Sequence, residues 1–254
     1  MVGKNMTRAL ARFTTARGLL LASAVGVAAV AMAPSAHANF LFRWSTDGTT
    51  WNNLDNDPID GNGFTTGGPA TTLGNLTFNA LSATSNSPGS APIAEQTQST
   101  VKVTNLTGSQ QTIFIELGSQ NFLLPTGPAP LAFQNDVGGT VAIGGVGNSL
   151  SVQSFLDNGN GQNTTIGATY ITSAATPGIT SPGSFNATTE LSIPFVNTPF
   201  SLTQEITLTL APGGNINFTT NELLLPVPEP ATLAVLGTGL LGLGSIVRRR
   251  RSRS

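Results

Sequence analysis

Cysteine is absent from this chain of 254 residues, and histidine occurs once, as His37. The first absence excludes disulfides and thiolate metal sites. The second reaches further, because His37 lies ahead of an expected processing point after Ala38. A mature chain without His and Cys has no Ser-His-Asp or Cys-His nucleophile, no His-ligated zinc and no His general base. Aromatic residues make up 6% of the chain and charged residues 9%, the latter against about a quarter in a typical globular domain.

The few charges are segregated. Of the 11 basic residues, Lys4, Arg8, Arg12 and Arg17 precede the first apolar run, and Arg248, Arg249, Arg250, Arg251 and Arg253 follow the last. Only Arg43 and Lys102 lie between them, against eleven acidic residues, leaving residues 39–226 with about nine net negative charges. Such a segment repels nucleic acid and anionic lipid, which argues against nucleic-acid binding. What is abundant is Gly (29) and Pro (16), together with Ser, Thr and Asn. This uncharged, turn-rich composition suits an extracellular β domain, and a hydrophobic fraction of 39% argues against wholesale disorder.

The two ends carry the clearest patterns. Residues 1–17 are basic and free of acid, with Met6 as a second candidate start. Gly18–Met32 is an unbroken run of apolar or small residues, followed by Ala33-Pro34-Ser35-Ala36-His37-Ala38. Pro34 breaks the helix, and Ala36 and Ala38 have the small side chains that a signal peptidase admits. Residues 1–38 therefore read as a secretory signal peptide, expected to be helical. At the other end, Val227-Pro228-Glu229-Pro230 precedes a charge-free apolar run, Ala231–Val247, and the arginine cluster of residues 248–254. Seventeen helical residues span about 25 Å, enough for a thin bilayer, and the arginines resist translocation. Both ends predict one topology, with residues 39–226 outside and the arginines in the cytoplasm.

The order of Pro228-Glu229-Pro230, a glycine-rich transmembrane helix at 231–247 and a terminal Arg cluster resembles the PEP-CTERM sorting signal of Gram-negative bacteria. The resemblance covers residues 227–254. It implies recognition of Pro228, Glu229 and Pro230 by an exosortase, an integral-membrane protease, and removal of the tail. It further implies passage through the inner membrane to the cell envelope or the extracellular matrix, in the company of exopolysaccharide and biofilm.

Residues 39–226 alternate in the manner of half-buried strands. Val101 and Val103 share a face in Ser99–Thr107. Ile113, Ile115 and Leu117 share one in Gln111–Gly118, with Phe114 and Glu116 opposite. The turn residues Asn105–Gln110 between these segments predict a hairpin. Leu191, Ile193 and Phe195 form another set, and Leu202, Ile206, Leu208 and Leu210 form a fourth that Gln204 interrupts. Further strands are expected at Phe40–Trp44, Leu76–Leu81, Val141–Ile143, Ser149–Phe155, Thr164–Ile171 and from Ile216, with loops at Asp55–Gly68 and Ser82–Pro92. No helix pattern occurs. Many short strands with Gly, Pro and Asn turns predict an all-β fold, a β-sandwich of Greek-key or immunoglobulin-like type.

No stretch within these strands announces a site. Asp55, Asp57 and Asp60, with neighbouring Asn and Gly, form the densest set of hard oxygen donors and suggest Ca²⁺, although their spacing is not that of an EF-hand. Asp157–Gly161 is a weaker set of the same kind. Glu116, Glu190 and Glu205 lie on or beside strands, and nothing in the spacing brings two of them together as a glycosidase requires. Trp44, Trp51 and Tyr170 could stack on sugars but fit core or edge packing better. The expected role is structural and non-enzymatic, without a cofactor. The alternative is a module that binds exopolysaccharide, assisted by Ca²⁺. Signal peptidase and exosortase are the expected processing partners. If the cleavage site is as expected, N-terminal sequencing of the exported protein returns Asn39 as the first residue. Ala38→Phe, too bulky for the peptidase pocket, leaves that product undetectable.

Overall fold

The computed structural model describes residues 40–57, 63–65, 70–88, 93–125, 130–163 and 165–227, together with Thr238. The expected signal peptide, Asp60, Pro228–Pro230 and the rest of the expected membrane span lie outside the described residues. Among those described, strands account for nearly all regular structure. They are β1 (Phe40–Ser45), β2 (Asn52–Asp57), β3 (Gly63–Thr65), β4 (Thr71–Leu73), β5 (Leu76–Phe78), β6 (Leu81–Ser85), β7 (Ala94–Asn105), β8 (Gln111–Phe122), β9 (Leu131–Ile143), β10 (Ser149–Asp157), β11 (Tyr170–Ile171), β12 (Gly183–Ile193), β13 (Phe200–Leu210) and β14 (Asn215–Pro226).

Two antiparallel sheets form a β-sandwich, as the composition and turns predict. One has the order β11-β10-β13-β8-β1-β2. The other runs β12-β9-β14-β7, and β7 then pairs along its length with both β5 and β6, which carry β4 and β3. From β7 onward each long strand crosses to the opposite sheet, so that β7, β9, β12 and β14 face β8, β10, β11 and β13. This order is the jelly roll, the form of sandwich built from two Greek keys. β10 with β11 is the one sequential pair from β7 onward, so the order departs from the immunoglobulin-like type.

That topology corrects the predicted hairpin. The Asn105–Gln110 turn joins β7 of one sheet to β8 of the other, where β8 pairs with β1 and β13. Across the sandwich, the inward faces of the two strands, Val103 on one and Ile113, Ile115 and Leu117 on the other, meet in one core. Asn105 fixes the crossover, its amide nitrogen donating to Ser109 O and Leu210 O, each at 2.8 Å. Both expected loops contain strands: Asp55–Gly68 includes the end of β2 and β3, and Ser82–Pro92 opens in β6, where Ala83 and Ser85 point inward. Conversely, Thr164–Ile171 is strand only at Tyr170–Ile171. Phe195 lies beyond the end of β12 and is 54% exposed.

The interior is layered along the strands. One apolar cluster joins Phe40, Phe42, Phe78, Ile115, Ile206, Leu208 and Phe218. A second, at the other end, joins Phe122, Leu131, Phe133, Ile193, Phe200, Leu202 and Leu224. Each such side chain contributes about 1.5–3 kcal/mol on burial. Between the clusters lies a stratum of buried polar groups: Gln96, Gln98, Thr100, Ser119, Asn135, Ser154, Gln204, Thr220 and Glu222. Gln204, which interrupts the sequence pattern, points into this layer and is fully buried. Ser119 Oγ donates to Gln96 Oε1 at 3.1 Å, and Gln96 Nε2 donates to the Glu222 carboxyl. Thr220 Oγ1 donates to Gln204 Oε1, Gln204 Nε2 to Asn135 Oδ1 at 3.3 Å, and Asn135 Nδ2 to Val152 O at 2.7 Å. Gln96 and Asn135 flank Glu222 in register on either side.

Burial pushes the Glu222 carboxyl well above its ordinary value, against the opposing influence of the Gln96 amide, the Phe155 backbone and Ser154. The folded protein therefore keeps a proton that the unfolded chain releases near the usual carboxylate value. The contribution of this group to stability is fully present below that value and declines as pH rises through the raised one. Glu222→Gln is expected to flatten this decline, so urea midpoints at pH 5 and pH 8 differ less in the variant than in the parent. Phe218→Ala, a large truncation in the first cluster, is expected to lower stability by about 3–5 kcal/mol at either pH.

Candidate functional site

Two regions stand out on the described surface, and the first is where the chain leaves the domain. β14 lies between β9 and β7 and is hydrogen-bonded to both as far as Leu224, then to β9 through Pro226. Val227 N still donates to Pro130 O at 3.1 Å. The ordered backbone thus reaches the residue before Pro228, with no spacer ahead of the proline-flanked glutamate.

The second region is a row of side chains on the outer face of the six-stranded sheet. Antiparallel register sets Arg43 of β1 opposite Glu116 of β8, and Glu116 opposite Glu205 of β13. Arg43 Nη2 donates to Glu116 Oε1 at 2.7 Å, and its guanidinium lies 4.6 Å from the Trp51 ring centroid. Glu116 is only 1% exposed, although it sits on the outward face. The segment after β10 covers it. Asp157 anchors that segment by accepting Gly159 N and Gly161 N, each at 2.9 Å. Ser201 Oγ donates to Gly161 O at 2.7 Å. Asn163 then lies directly against Gly118, where a Cβ would collide with its side chain. Burial raises the Glu116 carboxyl, with Arg43 opposing, and Glu205 is raised by the same cause.

The structure therefore brings together two of the three glutamates that the sequence leaves unconnected. Glu190 lies apart on the edge strand β12 of the other sheet. Alternation correctly assigns Glu116 to the outward face, but the overlying segment, Asp157–Asn163, lies more than 40 residues further along, and no local pattern reports it. The geometry suits a structural clamp: one carboxylate is held by arginine and sealed beneath an asparagine, and no second carboxylate faces it across a cleft. Trp44 packs at the edge of the first apolar cluster, and Tyr170 makes an edge-to-face contact with Phe195, centroids 6.5 Å apart.

Asp60 lies outside the described residues, as do the side chains of Asp55 and Asp57 at the end of β2. Asp157 spends its carboxylate on the turn just described. Among the described residues no group of three His, Cys, Asp or Glu side chains is placed to hold a metal. A shallow groove of about 360 Å³ opens on the outer face of the eight-stranded sheet, lined by Asn79, Lys102, Thr140, Ala142, Asn215 and Asn217. Also among the described residues, no helix is long and apolar enough to cross a membrane.

Comparison with known proteins identifies the PEP-CTERM protein-sorting motif at residues 226–251. The chain thus carries a signal for export and sorting to the cell envelope, and the match begins on the last residue of β14. No curated protein matches the chain. Among solved structures, TmCBM61 in complex with β-1,4-galactotriose is similar at 7% identity over 56% of this chain and 86% of that one, with a TM-score of 0.26. The enzymatically active domain of bacteriophage CBA120 tailspike protein 4 is similar at 12% identity, over 60% of this chain and 20% of that one, with a TM-score of 0.26. A carbohydrate-binding module of the β-sandwich superfamily is similar at 9% identity, over 71% and 82%, with a TM-score of 0.23. Likenesses at these scores carry no functional weight.

If the Arg43–Glu116 pair is a clamp, Arg43→Met leaves a buried carboxylate without its partner. The expected loss is about 3 kcal/mol in urea unfolding. Adding Glu116→Gln to that variant removes the orphaned charge and restores part of the loss.

Proposed function

We propose that this protein is a non-catalytic component of the cell envelope or extracellular matrix, whose jelly-roll domain is displayed outside the inner membrane and whose tail is removed by an exosortase. The observation that carries this reading is the direct passage from β14 into the sorting motif. Glu229 is the only charged residue between Glu222 and Arg248. Its proline neighbours fix φ near −65° and exclude it from helix and ladder. One carboxylate between two prolines, placed in the sequence between the domain and an apolar run, is a feature that a membrane protease can recognise without reading the domain. Pro228, Glu229 and Pro230 are recognition residues in this scheme, and the signal peptide cut after Ala38 completes maturation.

Two features support a structural rather than catalytic role. The expected mature chain has neither His nor Cys, and Glu116, one of its two neighbouring glutamates, is tied up by Arg43 beneath the Asn163 segment. The second reading, an exopolysaccharide-binding module with Ca²⁺ assistance, draws on the groove around Asn217. Amide and hydroxyl side chains there, with Lys102, match the donors and acceptors of a polyol. A glycan array with and without EDTA separates the two readings, since a purely structural role gives no specific signal in either condition.

Replacing Pro228, Glu229 and Pro230 together with alanine is expected to leave unprocessed protein in the inner membrane while the parent is released. Intact-mass measurement of the membrane and medium fractions reads the outcome. Release of the variant at the parental rate rules out recognition through the tripeptide.

A further inference from the structure

Four described stretches meet at the end of the sandwich from which the tail departs: Asn86–Pro88 with Ile93, Phe122–Pro125 with Pro130, Ile193–Phe200 and Leu224–Val227. Register places them together, because Ile193 pairs with Leu131, Leu131 with Pro226, and Phe122 with Phe200. None of the four contains a charged residue, and they are rich in proline and large apolar side chains. Leu123 is 42% exposed, Phe195 54% and Val227 37%, on a rim backed by Tyr170 and the stacked pair Phe122–Phe200. The opposite end also exposes apolar residues, Val146 at 97% among them, but its turns are built mainly from Gly, Ser, Asn and Gln. Exposure alone therefore does not single out one end. Distance from the tail does.

Three residues, and so four Cα–Cα steps, separate Val227 from Ala231, the start of the apolar run. Fully extended, those steps reach at most about 14 Å. The polar interface of a bilayer is roughly 5–7 Å deep on each side of the hydrocarbon. Phe195 follows β12, two strand spacings or roughly 10 Å to the side of β14, and Leu123 follows β8 of the facing sheet, roughly 10 Å across the sandwich. A tail seated in the membrane consequently holds this rim at the headgroup layer, where Phe, Leu and Tyr are favoured; Asp157, at the same end of β10, has its carboxylate engaged by the amides of Gly159 and Gly161.

We propose that, before the tail is cut, the tail-proximal rim formed by Leu123, Phe195 and Val227 rests in the phospholipid interface, so that the domain docks on the bilayer with β14 directed at it. This rests on the reading that Ala231–Val247 enters the membrane. Docking orients the Pro228–Pro230 segment at the depth where an integral-membrane protease works. It ends when the tail is removed, because the rim alone lacks the basic residues that would hold a peripheral protein on an anionic surface.

The chain has no native cysteine, which makes the test direct. The full chain is purified from cells without an exosortase, carrying Leu123→Cys, Phe195→Cys or, as control, Val146→Cys. Each is labelled with a polarity-sensitive fluorophore and reconstituted in phosphatidylcholine/phosphatidylglycerol vesicles containing nitroxide lipids. The expected result is quenching about threefold stronger at positions 123 and 195 than at 146. Val227→Cys is a second reporter should either rim variant misfold. Equal quenching at all positions in protein that floats with the vesicles overturns the docking proposal and leaves the membrane reading intact. Protein that does not float overturns both.

Discussion

The position of β14 constrains everything else in this molecule. It is the last strand of the domain, yet it lies in the interior of its sheet, between β9 and β7. Neither neighbour can complete its hydrogen bonds until that strand arrives, and an unpaired row of buried amides and carbonyls is costly. Both apolar clusters and the polar stratum also draw side chains from it: Phe218 in one cluster, Leu224 in the other, Thr220 and Glu222 between. The sandwich is therefore closed by the segment that leads directly into the sorting motif. For an exported chain threaded from its N-terminus, this couples the completion of folding to emergence of the tail.

The treatment of charge follows from the same scarcity throughout. A domain with two cations and eleven acids cannot neutralise its carboxylates pairwise, so it uses other means. Glu116 takes Arg43 and a covering loop. Asp47 accepts the amides of Thr49 and Thr50 and the hydroxyl of Ser45, which hold its carboxyl far below the usual range. Glu222 is buried among amides and hydroxyls, where desolvation favours the neutral acid. Asp157 caps its own turn. Apart from the Arg43–Glu116 pair, each arrangement uses hydrogen bonds or protonation in place of a salt bridge. The surface that remains is polar through Thr, Ser and Asn.

Strand content was legible where alternation is clean. Ile113–Leu117 and Leu202–Leu210 show their inward faces at period two, and both faces are as expected. Pairing was not legible. The turn at Asn105–Gln110 has the composition of a hairpin and serves instead as a crossover, because the same six residues can join strands side by side or face to face. Gln204 looks like a break in an apolar series. Its role appears only when Asn135 and Thr220, 69 and 16 residues away, supply partners. Glu116 and Glu205 become neighbours through register alone.

What the sequence determined by itself is the sorting motif: proline-flanked glutamate, apolar run and arginines at residues 226–251. Those signals are read by membranes and proteases as linear strings, through hydrophobicity and charge within a few residues, so no fold is needed to express them. Only the tertiary structure decided the jelly-roll order, the polar layer around Glu222, the sealed Arg43–Glu116 pair and the absence of a spacer before Pro228. Each of these depends on contacts between segments tens of residues apart, whose free energy comes from simultaneous burial of both partners. A local pattern can state which face a residue occupies, but not which distant residue will cover it.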